Sequence, residues 1–292
     1  MSSTRAHSRT LMEHGHLTNR QSTAHSRELG AYLRTVRRRS GISFKDMVTT
    51  LGWSAGKLTK LETGTRGTSR DDIFFLLGIC NADKSTRDQV TALAEMTDTG
   101  NFLRLHDHSA DHLPGLRVHE DQATAVTAYD PIGIPDLAQT ADYALALTGD
   151  EDVVTTRLTR QRRLMTSATR GMTLFIREVA LGTSVGSTEV MQEQLLYLTL
   201  LAGTANTVVR VIPEARGLHT ALRHPATLLI PEPPHQPVVH VETDAATVFH
   251  DDPVVVATYE EKFRQLNRLA LGPGDSKKLL ARCADRYDAK AS

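Results

Sequence analysis

Cysteine is almost absent from this 292-residue chain: Cys80 and Cys283 lie far apart, in neither a redox nor a metal-ligand spacing. That excludes a disulfide scaffold, and both thiols read as small core groups in a reducing cytoplasm. No run of 18 apolar residues occurs, which excludes a membrane-spanning helix. The first 27 residues are rich in Ser, Thr, His and Arg and have no apolar core segment, so they are expected to be a disordered tail rather than a secretory signal. Enzymatic signatures are lacking too: there is no G-x-S-x-G, P-loop, Rossmann glycine pattern or H-E-x-x-H. Asp251-Asp252 precede Pro253 and read as a helix cap rather than a catalytic pair. The expectation is a protein that is not an enzyme and needs no cofactor.

The chain also has no net charge, yet the balance is uneven. Residues 1–70 hold 13 Lys/Arg against 4 Asp/Glu, and the other 222 hold 21 against 30. A basic end fused to an acidic remainder is the asymmetry of a protein that meets a polyanion at one end only. A basic tail with no partner would give the same count, so the motif that follows has to decide.

Hydrophobic periodicity and capping signals divide residues 28–97 into five helices. Leu29, Leu33 and Val36 share one face of the first, which stops at Ser40-Gly41. Ser43 to Asp46 is a capping box opening a helix to Leu51, closed by Gly52. Ser54 caps a short helix with Leu58 and Leu61 inward. Ser69 to Asp72 opens an apolar helix through Ile79, expected to bury Phe74, Phe75 and Leu76. Lys84 to Met96 is the fifth. Phe44 to Glu62 has the spacing of a helix-turn-helix: a β-branched contact residue, Val48; a glycine four residues on for the positive φ of the turn, Gly52; then Leu58 and Leu61. The outward residues Ser54, Ala55, Gly56, Lys57, Thr59 and Lys60 form the face that enters a major groove, with Lys57 placed for guanine O6/N7 and Thr59 for a base edge or phosphate. Lys45, Lys60, Arg66 and the helix N-termini suit phosphate oxygens.

Residues 98–120 carry His106, His108, His112 and His119 with no clear period, and read as linker. The four His have spacings a metal could use, but no Cys accompanies them, and a metal site is not expected. Residues 121–289 read as a mixed α/β unit with one small sheet: helices at about 120–130, 138–148, 150–168 and 187–202, a strand at 172–179, four β-type runs (207–212, 226–230, 238–242, 246–250), and two closing helices from 253 and 275. The fold class is therefore α+β, with an all-α helix-turn-helix domain first. In the second unit Arg157, Arg160 and Gln161 share a helical face, and Glu178 and Glu242 end strands. They read either as a pocket whose arginines bind an anionic ligand or a partner's carboxylates, or as internal salt bridges; the order of the chain does not decide.

The stretch LGWSAGKLTKLETGTRG resembles the lambda-repressor/Cro-like (XRE) helix-turn-helix domain, over about residues 29–97, and its actinomycete branch in particular. One departure is Phe44, where relatives carry a Gln that contacts DNA. The resemblance continues in Ile134–Ala144 (similar to "PGLLQTxxYA", with Asp136 for the glycine and Ala138 for a leucine), in Arg157–Gln161 ("RLxRQ"), in Glu193–Leu195 ("EQL"), and in Val211–Pro213 and Val241–Glu242. The tandem tryptophans of many relatives are missing. The resemblance implies an antitoxin-like, cytoplasmic transcriptional regulator, often encoded beside a small acidic partner protein. The expectation is a protein that binds double-stranded DNA as a homodimer, with a C-terminal domain that senses a ligand or partner; the alternative is an antitoxin-like protein whose main role is binding a partner, with DNA binding for autoregulation.

Overall fold

The computed structural model describes residues 22–65, 69–96, 99–107, 109–166 and 170–291. Its N-terminal unit is five helices: α1 (Ala24–Arg39), α2 (Phe44–Leu51), α3 (Ala55–Thr63), α4 (Arg70–Ile79) and α5 (Lys84–Glu95). Each begins where a short oxygen-bearing side chain can take an otherwise orphaned amide: Thr23, Ser43, Ser54, Ser69 and Asp83 accept from Ser26, Asp46, Lys57, Asp72 and Thr86. Such a cap contributes about 1 kcal/mol. Leu33, Met47, Leu58, Leu61, Ile73, Leu76, Leu77 and Val90 fill the shared core. A buried ion pair, Arg37 Nε to Glu62 Oε1 at 2.5 Å and Nη2 to Oε2 at 3.0 Å, fastens α1 to α3. At Gly30 the helices touch so closely that a Cβ would lie 2.6 Å from the Leu61 carbonyl oxygen.

Two expectations need correction here. Residues 22–27 are not tail: Thr23 starts α1, and Ala24, His25 and Arg27 are buried. Residues 1–21 lie outside the described residues. Phe74 and Phe75 do not enter the core; they are 48% and 60% exposed, because Ile73, Leu76 and Leu77 already supply the inward stripe of α4.

The second unit is built on a seven-stranded sheet in the order β1-β7-β6-β5-β2-β3-β4. Its strands are β1 (Asn101–Leu105), β2 (Ala123–Asp130), β3 (Gly171–Arg177), β4 (Thr207–Ile212), β5 (Ala226–Pro231), β6 (Val238–Glu242) and β7 (Ala246–His250). The pairs β2–β3 and β3–β4 are parallel, and the others antiparallel. Among the described residues six α-helices accompany it: α6 (Pro114–Gln122), α7 (Ala141–Thr148), α8 (Glu151–Met165), α9 (Thr188–Leu201), α10 (Pro253–Leu269) and α11 (Pro273–Ala291). Alternate residues of β2 and β3 go to opposite faces. Val126, Ala128, Leu174 and Ile176 pack with α9 and α11; Tyr129 and Phe175 pack with α10. Burial on both faces explains why these strands are almost continuously apolar.

The α+β class holds, but the sheet is larger than expected. The stretch 98–120 is not linker: its described part contains edge strand β1, a 3-10 turn (Ala110–His112) and α6. The helix expected at 120–130 is the end of α6 followed by β2. Alanines favour helix there, but ladders on both sides, to β3 and β5, override that preference.

The two units share α1. Its C-terminal half lies in the helical core, while Ala24 packs with Leu113, Leu116, Val238 and Phe249 of the sheet unit. The Asp251 carboxylate accepts from the Ala24 amide, Arg27 donates to the Gln236 carbonyl, and Arg104 clamps Glu28. Opposite Glu28, Gly115 of α6 leaves room that a Cβ would fill, 2.7 Å from its carboxylate.

Candidate functional site

The turn between α2 and α3 is set by Gly52 at φ +62°, a left-handed conformation that costs a glycine little. The next amide, Trp53 N–H, returns to the Val48 carbonyl at 3.0 Å. Leu58 and Leu61 then face inward, so Ala55, Gly56, Thr59 and Lys60 must face water, and all four are exposed. Lys45 is exposed on α2. Ser54 is exposed as well, with its Oγ accepting from Lys57 N at 3.1 Å. Arg66 lies outside the described residues. Phe44 lies half-buried beneath the Arg37 guanidinium, 5.7 Å from the ring centre, which leaves it in a packing role.

Lys57 is placed differently from its neighbours. Its ammonium sits 4.2 Å over the Trp53 ring and 2.6 Å from Asp72 Oδ1 in the first turn of α4. A base contact by Lys57 therefore requires release from Asp72, whose side chain is 21% exposed. The stacking partner was legible, since Trp53 stands four residues before Lys57; Asp72 was not, because only the α3–α4 packing brings it near.

The five C-terminal candidates divide. Arg157, Arg160 and Gln161 converge on internal partners. Arg157 donates to Asp111 at 2.8 Å and to Gln139 at 2.6 Å. Arg160, 4% exposed, bonds to Asp111, to Glu120 at 2.7 Å and to Asp136 at 2.9 Å. Gln161 donates to the carbonyls of Asp136 and Gln139 at 2.7 and 2.9 Å. The arginines are thus spent on internal carboxylates and form no free wall for an anion, a correction to that reading. Burial alone would raise Asp111 and lower Arg160. Mutual attraction outweighs it, holding the carboxyl below its ordinary range and the guanidinium well above.

Glu178 stands apart, accepting from Glu214 N at 3.1 Å. Glu242, at the end of β6, lines a cavity of about 300 Å³ together with Asp130, Asp136, Gln139, Arg157 and His240. Its side chain keeps 36% of its surface open. Crowding by protein, with Asp136 adding repulsion, still pushes its carboxyl up to about 8. Between the two units lies a wider cleft, about 750 Å³, with Arg34, Arg38 and Arg39 of α1 facing Arg117 and Arg163.

The histidines do not converge. His106 bonds Thr247 at 2.9 Å, His112 meets Asp152 at 3.0 Å, and His119 is buried against Phe249. His108 lies outside the described residues. Among the described residues no three His, Cys, Asp or Glu are grouped to hold a metal. No described helix is long and apolar enough to cross a membrane.

Residues 28–90 match the family described as a helix-turn-helix domain. Residues 113–282, more than half of the chain, match the family described as a domain of unknown function (DUF5753). No curated protein is detectably similar. Among solved structures, the chain is similar to one described as "Structure of TrmBL2, an archaeal chromatin protein, shows a novel mode of DNA binding", at 12% identity and a TM-score of 0.31. That alignment covers 68% of this chain and spans 64% of the other, and at such a score no structural argument rests on it.

Proposed function

We propose that this chain, which belongs to the family of the DUF5753 domain of unknown function and carries a helix-turn-helix domain ahead of it, is a sequence-specific DNA-binding transcriptional regulator. The observation that carries this reading is the α2–Gly52–α3 geometry, with Ala55, Gly56, Thr59 and Lys60 all left facing water. Lys45 and Lys60 hold phosphates and set the salt dependence; Thr59 and Lys57, once Lys57 leaves Asp72, read base edges. The protein acts inside the cell as a homodimer on an inverted repeat, the usual arrangement for a Cro-like (XRE) reader of half-sites.

The C-terminal unit senses rather than catalyses. Its buried Arg157/Arg160 network is hydrogen-bonded within the protein, and α1, common to both units, supplies a rigid route from sensor to reader. A ligand that prefers one relative placement of the units would shift DNA affinity by the difference in its own affinities.

The test is enrichment of genomic fragments by the purified protein, with a Lys57→Ala/Lys60→Ala control. A few sites sharing an inverted repeat, lost in the control, are expected. Equal recovery of all fragments would overturn the reading. The second reading is an antitoxin-like protein whose main role is to bind a small acidic partner, with DNA binding for autoregulation. It is favoured by the exposed Phe74 and Phe75, apolar area of the kind a partner would cover. A tight stoichiometric companion on purification, toxic when expressed alone, would decide for it.

A further inference from the structure

We propose that the cavity where β2 and β6 end is a binding site for a small organic cation bearing a primary ammonium group, received by Glu242, Asp130 and His240. The inference deepens the sensing role given above to the C-terminal unit and rests on it. The polar inventory of the cavity is one-sided. Among the described residues the one lining guanidinium, Arg157, is already bonded to Asp111 and Gln139. The other charged side chains lining it are acidic: Asp130, Asp136, Glu242 and Asp244. The nearest cationic-type partner of Glu242 is His240 Nδ1, at 3.7 Å, beyond hydrogen-bond reach. Asp130 uses only Oδ1, for the amides of Ile132 and Gly133, both at 2.7 Å. Asp136, by contrast, is closed by Arg160 and its own turn.

The second, independent observation is His240. It lines the cavity, is 4% exposed, and neither ring nitrogen has a hydrogen-bond partner among the described residues. Buried polar atoms are nearly always paired, and one facing a cavity without a partner points to something that fills it. His119 is buried and unbonded as well, but it does not line this cavity.

The electrostatics agree on the sign. Burial and Arg160 hold His240 down to about 4, so near neutral pH its imidazole is uncharged and has a lone pair to offer an N–H donor. Glu242 faces Asp111 and Asp136 on one side and Arg157 and Arg160 on the other, with burial the largest influence, and it keeps its proton to about pH 8. An arriving ammonium displaces that proton to solvent and pairs with the carboxylate. An anion would meet four carboxyl groups, Asp130, Asp136, Glu242 and Asp244, against one guanidinium already engaged, and no three metal-type ligands are grouped among the described residues. The volume is at the low end for small-molecule sites, which limits the ligand to a few heavy atoms.

The experiment is isothermal titration calorimetry of the full chain at pH 7, without DNA. The probes are n-butylamine, ethanolamine and 1,4-diaminobutane against 1,4-butanediol and succinate. At least one amine is expected to bind once per chain with a Kd below about 1 mM. Its heat should vary with the buffer's ionisation enthalpy as a proton is released. Glu242→Gln should weaken binding by about tenfold or more. Should that variant fail to fold, Leu147→Trp is the substitute: Leu147 is 53% exposed at the cavity wall, and an indole there should block entry. No binding by any amine, succinate binding as well as the amines, or unchanged binding in a folded variant would overturn the proposal. Fragment enrichment is read separately, so loss of DNA selectivity with amine binding intact refutes only the regulator reading.

Discussion

The two units treat charge in opposite ways. The helix-turn-helix leaves Lys45 and Lys60 in water on the face away from its core. The sheet unit takes Arg160, Asp111 and Glu120 almost wholly out of water and closes them on one another. Water-facing charges contribute little to stability and stay available to a polyanion. Buried charges must be fully paired, because a single missing partner leaves the rest uncompensated. Substitutions in the first unit should therefore register in binding, and those in the second in folding.

The largest effect expected from this contrast is that of Arg160→Ala, which strands Glu120 in the interior and leaves Asp111 with Arg157 alone. Breaking a buried pair costs about 3–5 kcal/mol, measurable as a lower urea midpoint. A loss under about 1 kcal/mol would show that these charges are not closed as described. Next is Lys57→Ala, which should discriminate less between operator and single-base variants, by about 1–3 kcal/mol at the position read. If preference is unchanged, Lys57 stays with Asp72 in the complex. Lys60→Ala should weaken all DNA alike and lower the salt slope by about 1, with stability shifted by no more than about 0.5 kcal/mol. A stability loss without a change in slope would dissolve the comparison.

The smallest expected effect is the pH response. Folded His240 and His119 resist protonation, mainly through burial, so the unfolded chain binds more protons below about pH 6.5. The contribution of His240 is present above that pH and lost as pH falls toward about 4, and His119 acts in the same direction. Glu242 acts oppositely: the folded state keeps a proton the unfolded chain releases, so stability drains as pH rises from the ordinary 4.5 to about 8. Between pH 4.5 and 6.5 the two imidazoles oppose one carboxyl, and above 6.5 the carboxyl acts alone among these groups. Melting temperature should therefore peak near pH 6.5 and decline gently above it, and Glu242→Gln should flatten that decline. An undiminished decline in the variant would assign the slope elsewhere.

The features legible from residue order alone are local ones. Ser43, Ser54 and Ser69 each accept from an amide three residues ahead, Gly52 supplies a positive φ within its own turn, and Leu58 and Leu61 repeat at helical spacing. Each signal acts within about one turn, so the chain order carries it. Long-range packing was needed to bring Arg160 to Asp111 and Glu120, 49 and 40 residues away, and Arg104 to Glu28, 76 residues away. It decided that alanine-rich 123–130 is a strand, through neighbours on both sides. It also placed Glu242 and His240 at one cavity with Asp130. A charge or an apolar side chain carries no address for a distant partner; only the packing of the whole chain chooses among the partners available.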